Sequence, residues 1–280
     1  MGLRDLLLWL FAGRSLPRRS DSGTADFDLG GDVARRTSTK GEAELAAEIE
    51  TAFPYEAVKV AGDKSEAERA RLTMIPGQCA AHLGDRDNFL SVASIFCPPP
   101  QGIDGPRSAT EILAASAKVD LAAFRKAPIA FDADELVEVM NEVSGDWPVE
   151  VEAIVGPLSV TSPLTNEPHP LTHIGVFPTD DETEVPALLR WGAWNDCPAP
   201  EVHVAHLRAW RDAYGAKLVS VTRDTIELKV ERRPASREEA LKLAHEQFAY
   251  CPDIVLQGTQ SIEALAASLM QSDWWFFWWD

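Results

Sequence analysis

The last seven residues constrain the fold of this chain more than any other feature. Residues 274–280 read WWFFWWD, so six consecutive aromatic side chains precede a final Asp. Because successive side chains of a strand point to opposite faces, a strand here carries three aromatic rings on each face. Each ring buries on the order of 150–250 Å² of surface, so a solvent-exposed segment would be prone to aggregation. We therefore expect a strand that is inserted into the sheet and covered on both faces.

The composition is that of a globular protein with a sizeable core, since 45% of the 280 residues are hydrophobic and 25% are charged. The formal net charge is −18; residues 1–40 carry +2, so residues 41–280 carry −20. A surface this acidic repels phosphate backbones, which argues against nucleic acid as a partner. A basic protein or a cationic small ligand fits the charge better.

The cysteines and the N-terminus bear on localisation. Four cysteines occur, at positions 79, 97, 197 and 251, without a close Cys-x-x-Cys pair. In a chain of this length the pattern predicts reduced thiols and a cytoplasmic protein. The apolar run from Leu6 to Ala12 is too short to span a bilayer and lacks the flanks of a signal peptide. It predicts either a helix that lies on a membrane surface, or a docking helix or frayed end.

Hydrophobic periodicity predicts alternating helices and strands between residues 42 and 165. Short strands are expected at 57–60 and 78–83, and a capping box at Ser108 and Glu111 predicts a helix that runs to about Phe124. Apolar residues then alternate with glutamates over residues 149–155. This period of two predicts a half-buried strand.

The last third of the chain has the clearest pattern. Besides the terminal segment, four strands are predicted, at residues 173–177, 185–194, 217–221 and 225–231. Helices are expected after Pro198, Ser236 and Ser261, the first of them ending at Gly215. In the strand 225–231, Ile226 and Leu228 are predicted to face the core and Glu227 to face solvent. The fold class is therefore α+β, a mixed β-sheet with packed helices that is closed by a buried Trp-rich C-terminal strand.

Several unusual segments occur in order within this third. They are Arg190-Trp-Gly-Ala-Trp-Asn-Asp-Cys-Pro198, the Trp-x3-Tyr-Gly-Ala stretch from Trp210, Ala-x-Glu-Gln-Phe ending at Phe248, Cys251-Pro-Asp253 and the Trp-rich terminus. Together they resemble the bacterial family catalogued as domain of unknown function 4253, over about residues 170–280. The resemblance implies a fold unit of this extent and brings no activity, cofactor or catalytic residue with it. We accordingly expect an N-terminal tail and linker at 1–41, an α/β region at 42–165 and a core unit at 166–280.

A nucleophilic cysteine is one interpretation of the segment that ends at Cys197. Cys197 follows Asp196, and His203 lies a short way into the next helix, which suggests a Cys–His pair. However, a neighbouring carboxylate raises a thiol pKa, and no basic residue is adjacent. The alternative is a buried cysteine in a structural turn. The catalytic candidates are Cys197, His203 and His245.

A metal site is a second interpretation, because metal-binding residue types gather in the core unit. The candidates are Cys197, His203, His206, His245 and Cys251. His203 and His206 are three residues apart, so one helix face can present both. No stretch has zinc-finger spacing, and His203 shares a helix face with Leu207 and Trp210, which is typical of a core histidine. We therefore predict that the protein binds no metal. The alternative is a metal site whose ligands come from these five residues.

A ligand site is the third interpretation. Trp191 and Trp194 are three residues apart, so in a strand they face opposite ways unless a bulge at Gly192 brings them together. Together with Asn195, Asp196 and Asp253, their rings would suit a cationic or sugar-like ligand through stacking and cation–π contact. The alternative is that the tryptophans belong to the core.

Two functions remain open. The acidic charge, together with the absence of a Gly-rich phosphate loop, a Gly-x-Ser-x-Gly motif and a His-Glu-x-x-His motif, favours a binding or interaction protein. Its partner would be a basic protein or a cationic ligand. The alternative is a small-molecule or metal-dependent hydrolase that uses Cys197, His203 and His245.

Overall fold

A six-stranded mixed sheet lies at the centre of the molecule. The computed structural model describes residues 41–99, 105–126, 133–151, 153, 155–162 and 165–280; the predicted N-terminal tail, linker and apolar run lie outside these residues, except for Gly41. The strands are β1 Glu56–Val60, β2 Cys79–Gly84, β3 Thr172–Phe177, β4 Lys217–Val221, β5 Thr225–Lys229 and β6 Trp274–Trp278. Their order in the sheet is β1-β3-β2-β4-β5-β6, and β2 pairs with β4 in parallel while the other pairs are antiparallel.

Helices pack on this sheet, which confirms the α+β class. Within the described residues the α-helices are α1 Glu42–Ala52, α2 Gly62–Thr73, α3 Arg86–Ser94, α4 Ala109–Ser116, α5 Leu121–Lys126, α6 Ala133–Glu142, α7 Val185–Leu189, α8 Pro200–Tyr214, α9 Arg237–Tyr250 and α10 Ile262–Gln271. Two 3₁₀ helices, Leu158–Val160 and Glu182–Glu184, and a π-helix, Ile254–Thr259, complete them. Among the helices described, none has the length and apolar character needed to cross a bilayer.

Local capping chemistry fixes several helix ends. Ser108 and Glu111 form the predicted capping box of α4, and the side chains of Ser236 and Ser261 accept backbone N–H groups at the starts of α9 and α10. Gly215, at φ 63°, ends α8 in the left-handed conformation. The helix expected to continue from Ser108 to about residue 124 instead consists of two, α4 and α5.

The Trp-rich segment forms the terminal strand, as predicted, but at an edge of the sheet. Among the strands described, β6 pairs with β5 alone, with Ile226 opposite Phe277. Trp275, Phe277 and Trp279 are buried on the face that α8 and α9 cover, and Phe277 stacks on Trp210 at 5.2 Å between ring centroids. On the other face Trp274 and Phe276 are only half-buried, whereas Trp278 is buried. Coverage of both faces is therefore less complete than the alternation of aromatic residues suggested.

Two predicted strands are wrong. Residues 185–189 form helix α7, with Pro186 in its first turn and Arg190 ending it at φ 54°; proline is well suited to that first turn because it has no N–H to leave unpaired. Residues 149–155 contain no strand where the structure describes them, and Val149 and Val155 are exposed. Their alternation predicted a buried face, yet the segment pairs with no neighbouring strand in the described part of the chain.

Glu227 was predicted to face solvent but is buried. It lies in a polar row across the sheet, because His82 of β2 is opposite Ser220 of β4, and Ser220 is opposite Glu227 of β5. The 3₁₀ helix Leu158–Val160 covers this row, and the backbone N–H groups of Leu158 and Ser159 donate to the Glu227 carboxylate. Burial raises the pKa of Glu227, and these hydrogen bonds oppose the rise.

Strands from both sides of residue 165 lie in the same sheet. Strand β1 pairs with β3, and β2 lies between β3 and β4. The expected division into a region at 42–165 and a core unit at 166–280 stays a prediction.

Candidate functional site

The loop between α7 and α8, the turn after α9 and the end of the chain meet at one surface. The side-chain amide of Asn195 donates to the backbone O of Asp280 at 2.6 Å. The backbone N–H of Asp280 donates to Asp253 Oδ2 at 3.1 Å, and Gln257 Nε2 donates to Asp253 Oδ1 at 3.0 Å. We call this region the terminal site and define it by Trp194, Asn195, Asp196, Asp253 and Asp280.

Unusual backbone geometry shapes the loop of this site. Positive φ angles occur at Arg190, Gly192, Ala193 and Asn195, with values of 54°, 120°, 69° and 44°. The loop is held by a hydrogen bond from the Ala193 N–H to the Pro198 O at 2.9 Å. Three of these residues have a Cβ, so their conformation is strained, and such strain concentrates at binding and catalytic sites.

The two tryptophans of the loop have different environments. Trp191 is buried, and its indole N–H donates to the Thr222 O at 2.7 Å. Trp194 is half-buried and meets the Trp191 ring edge to face, with 4.6 Å between centroids. The two rings are thus brought together, although by a loop and not by a bulged strand. Trp191 is a core residue, which leaves Trp194 as the ring accessible to a ligand.

Carboxyl groups crowd the terminal site. Burial raises the pKa of Asp253, the negative charges of Asp196 and Asp280 raise it further, and the hydrogen bonds from Asp280 and Gln257 oppose the rise. Desolvation by nearby protein atoms also raises the pKa of Asp196, although its side chain lies at the surface. Burial raises the pKa of neighbouring Asp224. The positive charge of Arg223 opposes this rise, and the negative charge of Asp280 adds to it. The site therefore gathers several carboxyl groups whose negative charges are little neutralised.

Beneath the loop, Cys197 and His203 are in contact, but neither carries the charge that a nucleophilic Cys–His pair requires. Cys197 Sγ lies 3.5 Å from His203 Nε2, and His203 Nδ1 lies 2.6 Å from the Tyr250 hydroxyl. Burial raises the pKa of the Cys197 thiol well above its usual range and lowers the pKa of His203 to about 3. Both groups are therefore neutral near pH 7, whereas a nucleophilic cysteine must be a thiolate.

The other metal candidates do not join this pair. His206 Nδ1 lies 3.0 Å from the Val202 O, the Cys251 thiol donates to the Trp278 O at 2.9 Å, and His245 is exposed on α9. Among the residues described, no group of three or more His, Cys, Asp and Glu side chains is placed to hold a metal ion.

The buried thiols lead to a testable expectation. At pH 7.5 the folded protein should resist alkylation by iodoacetamide at Cys197 and Cys251, because both are buried and burial keeps both protonated. Mass spectrometry of peptides after a timed reaction measures this, and the protein unfolded in urea is the control in which both should react. Rapid modification of Cys197 in the folded protein would restore the nucleophile interpretation.

Three residues of the site region were not foreseen. They are Asp224, between the predicted strands 217–221 and 225–231, Gln257, and the backbone of Asp280. Gln257 and Asp280 contact Asp253, and Asp224 lies close enough to Asp280 for their charges to interact, because of how α9, β5 and β6 pack. The one sequence signal available was the abundance of Asp at segment ends.

Comparison with known proteins agrees with the resemblance drawn from the sequence motifs. No curated protein and no solved structure matches the chain. The C-terminal part of the chain, residues 173–280, matches the family described as Domain of unknown function (DUF4253).

Proposed function

We propose that the protein is a binding protein whose terminal site takes a cationic group, carried by a basic partner or by a cationic small ligand. The observation that carries the proposal is the convergence of Asp196, Asp253 and Asp280 at the loop that presents the half-buried ring of Trp194. Carboxylates and an indole face are the two kinds of group that attract an ammonium or guanidinium ion.

The electrostatics of the site favour a cation over a neutral ligand. The carboxyl groups repel one another, and Asp253 is also partly desolvated, so a bound positive charge would relieve both effects. A basic side chain near the group is Arg223, which is exposed and donates to Asp224 at 3.2 Å. The remaining carboxylates are left for an external cation.

The hydrolase alternative has less support. It requires Cys197, His203 and His245 to act together, but the first two are buried and neutral and the third is exposed on α9. We also propose a location in the bacterial cytoplasm, since all four cysteines are free and buried, as suits a reducing compartment.

Isothermal titration with spermidine and with arginine ethyl ester tests the proposal. Trp194→Ala should weaken binding by about 3- to 30-fold, the range expected for a cation–π contact, and Asp253→Asn should weaken it at least as much. Asp63→Asn, a change of the same charge at an exposed position on α2, is the matched control and should leave the affinity unchanged.

The pH dependence of the same titration gives a second readout. A carboxyl with a raised pKa takes up its proton at a higher pH than usual, and the neutral acid attracts a cation less. Affinity should therefore fall on acidification already above the ordinary aspartate pKa of 3.8, and Asp253→Asn should remove part of that fall. Equal affinities for the wild type and both site variants would overturn the proposal.

A further inference from the structure

Acidic residues are strongly segregated along this chain. Residues 127–189 contain thirteen Asp and Glu and no Lys or Arg. One part of this stretch is neutralised within the fold, because Arg211 pairs with Asp181 at 3.0 Å and Arg208 with Glu184 at 3.1 Å. Four acidic residues on and after α6, Glu138, Glu142, Asp146 and Glu150, form no such pair with another described residue.

The outer side of α6 is exposed to solvent. Its inner side packs Leu136, Val139 and Met140 against the core, and Val143 is buried. Six of the exposed residues of the helix and the segment after it form what we call the α6 surface: Val137, Glu138, Glu142, Asp146, Val149 and Glu150. None of the ion pairs among the described residues involves Glu138, Glu142, Asp146 or Glu150.

Two valines distinguish this surface from an ordinary solvated helix face. Val137 is 63% exposed, and Val149 is fully exposed. Val137 lies one turn after Asp134 and one turn before Asn141, so an apolar side chain is bordered by carboxylate and amide groups on the same side. A partner that contacts this surface therefore meets apolar side chains as well as negative charge.

The α6 surface is anchored firmly enough to present a defined shape. The Val143 O accepts the N–H of Ile262 at 2.9 Å, and the Gly145 N–H donates to Glu263 at 2.8 Å, which ties the end of α6 to α10. Farther on, the guanidinium of Arg237 lies 4.4 Å from the centroid of the Trp147 ring. The exposed groups on either side of Trp147 are therefore held against the body of the protein.

We infer that the α6 surface is a docking site for a basic amphipathic segment of a partner protein, with Lys or Arg side chains that face the carboxylates and apolar side chains that cover Val137 and Val149. Charge complementarity selects this occupant, because an apolar segment without basic residues would leave the unpaired carboxylates buried. The inference rests on the proposed function only in requiring a basic partner, since it concerns residues outside the terminal site.

The experiment uses the full chain and a synthetic amphipathic helix of leucine and lysine, labelled for fluorescence anisotropy. Glu138→Lys/Glu142→Lys should weaken binding about tenfold or more and should reduce its dependence on salt. Lysine near the C-terminal end of a helix is favourable, so the variant should stay folded; Glu138→Gln/Glu142→Gln is a milder form with a smaller effect in the same direction. Val137→Ser should weaken binding by a few fold without changing the salt dependence.

Controls separate this surface from general charge attraction. Glu42→Lys/Glu56→Lys makes the same change of charge at exposed positions elsewhere and should change the affinity less than twofold. Equal losses in both double variants, or equal binding of a peptide with the same composition and no apolar face, would overturn the inference.

Two further outcomes are decisive. If Trp194→Ala and Asp253→Asn alone weaken peptide binding, the terminal site binds the partner, so the proposed function stands and the α6 docking site is overturned. If changing Arg14, Arg18 and Arg19 to Glu strengthens peptide binding more than the same change at the exposed Lys64, Lys118 and Lys242, the N-terminal residues of the same chain compete for the surface, which overturns the choice of a separate partner. Loss of binding confined to the α6 variants supports the docking site whether or not small cations bind at the terminal site.

Discussion

A chain that ends at Asp273 is expected not to fold cooperatively. The deletion removes Trp275, Phe277 and Trp279, which are all buried, and with them the ring stacked on Trp210. Replacement of a single buried Phe or Trp by Ala typically costs about 3–5 kcal/mol, whereas a whole domain is stable by about 5–15 kcal/mol. The truncated protein should lack near-ultraviolet circular dichroism and a cooperative melting transition. A soluble truncated protein with an unchanged melting temperature would contradict this account of the core.

Neighbouring residues of β6 provide the matched control. Trp275→Ala empties a fully buried position and should cost about 3–5 kcal/mol, measured by urea unfolding. Trp274→Ala removes a half-buried ring that lies 5.5 Å from the Lys229 amine, and should cost about 1 kcal/mol. Equal losses at the two positions would mean that both faces of the strand are covered to the same extent, as the alternating sequence alone suggested.

The features that sequence reasoning predicted well are those set by local chemistry. Ser108, Ser236 and Ser261 start helices because a side-chain oxygen within three residues satisfies a free N–H, and Gly215 ends one because it tolerates positive φ. The Trp-rich strand was also predictable, since six adjacent aromatic residues are stable only when largely buried.

The features it missed depend on residues that are distant in sequence. Glu227 alternates with apolar neighbours as a solvent-facing residue would, and it is buried only because residues 158–160 cross that face of the sheet. Residues 185–194 are apolar enough for a strand. However, residues 185–189 form helix α7, and Arg190 ends this helix in the left-handed conformation. Periodicity does not report which segment will cover a given face.

The candidate site was predictable in its parts more than in its arrangement. The short spacing of Cys197 and His203 was enough to suggest their contact, which the structure gives as 3.5 Å. Their charge state follows instead from complete burial by aromatic side chains, among them Trp191 and Trp279. The terminal site likewise needs β6 to place Asp280 against Asp253, and no spacing in the sequence encodes that distance.

Gly192→Ala is expected to be strongly destabilising, although it adds only one methyl group to the loop of the terminal site. At φ 120° an L side chain is strongly disfavoured, which alone costs on the order of 1–3 kcal/mol. An added Cβ would also overlap the Pro198 O and would come within 2.8 Å of His203 Nε2. Neither neighbour can move freely, because the Pro198 O accepts the Ala193 N–H and His203 is packed in the core. We expect a total loss of about 3 kcal/mol or more by urea unfolding.

Gly77→Ala separates the two causes of this loss. Gly77 also has positive φ, at 81°, but an added Cβ would meet nothing within 4 Å, so its substitution should cost only about 1–2 kcal/mol. The difference between the two variants therefore measures the steric overlap beneath the loop. If Gly192→Ala were no more destabilising than Gly77→Ala, the loop could move away from Pro198 and His203, and cation binding at Trp194 and Asp253 should then survive the substitution. A larger loss at Gly192, together with weakened cation binding, would show that packing against the Cys197–His203 pair holds the terminal site in shape.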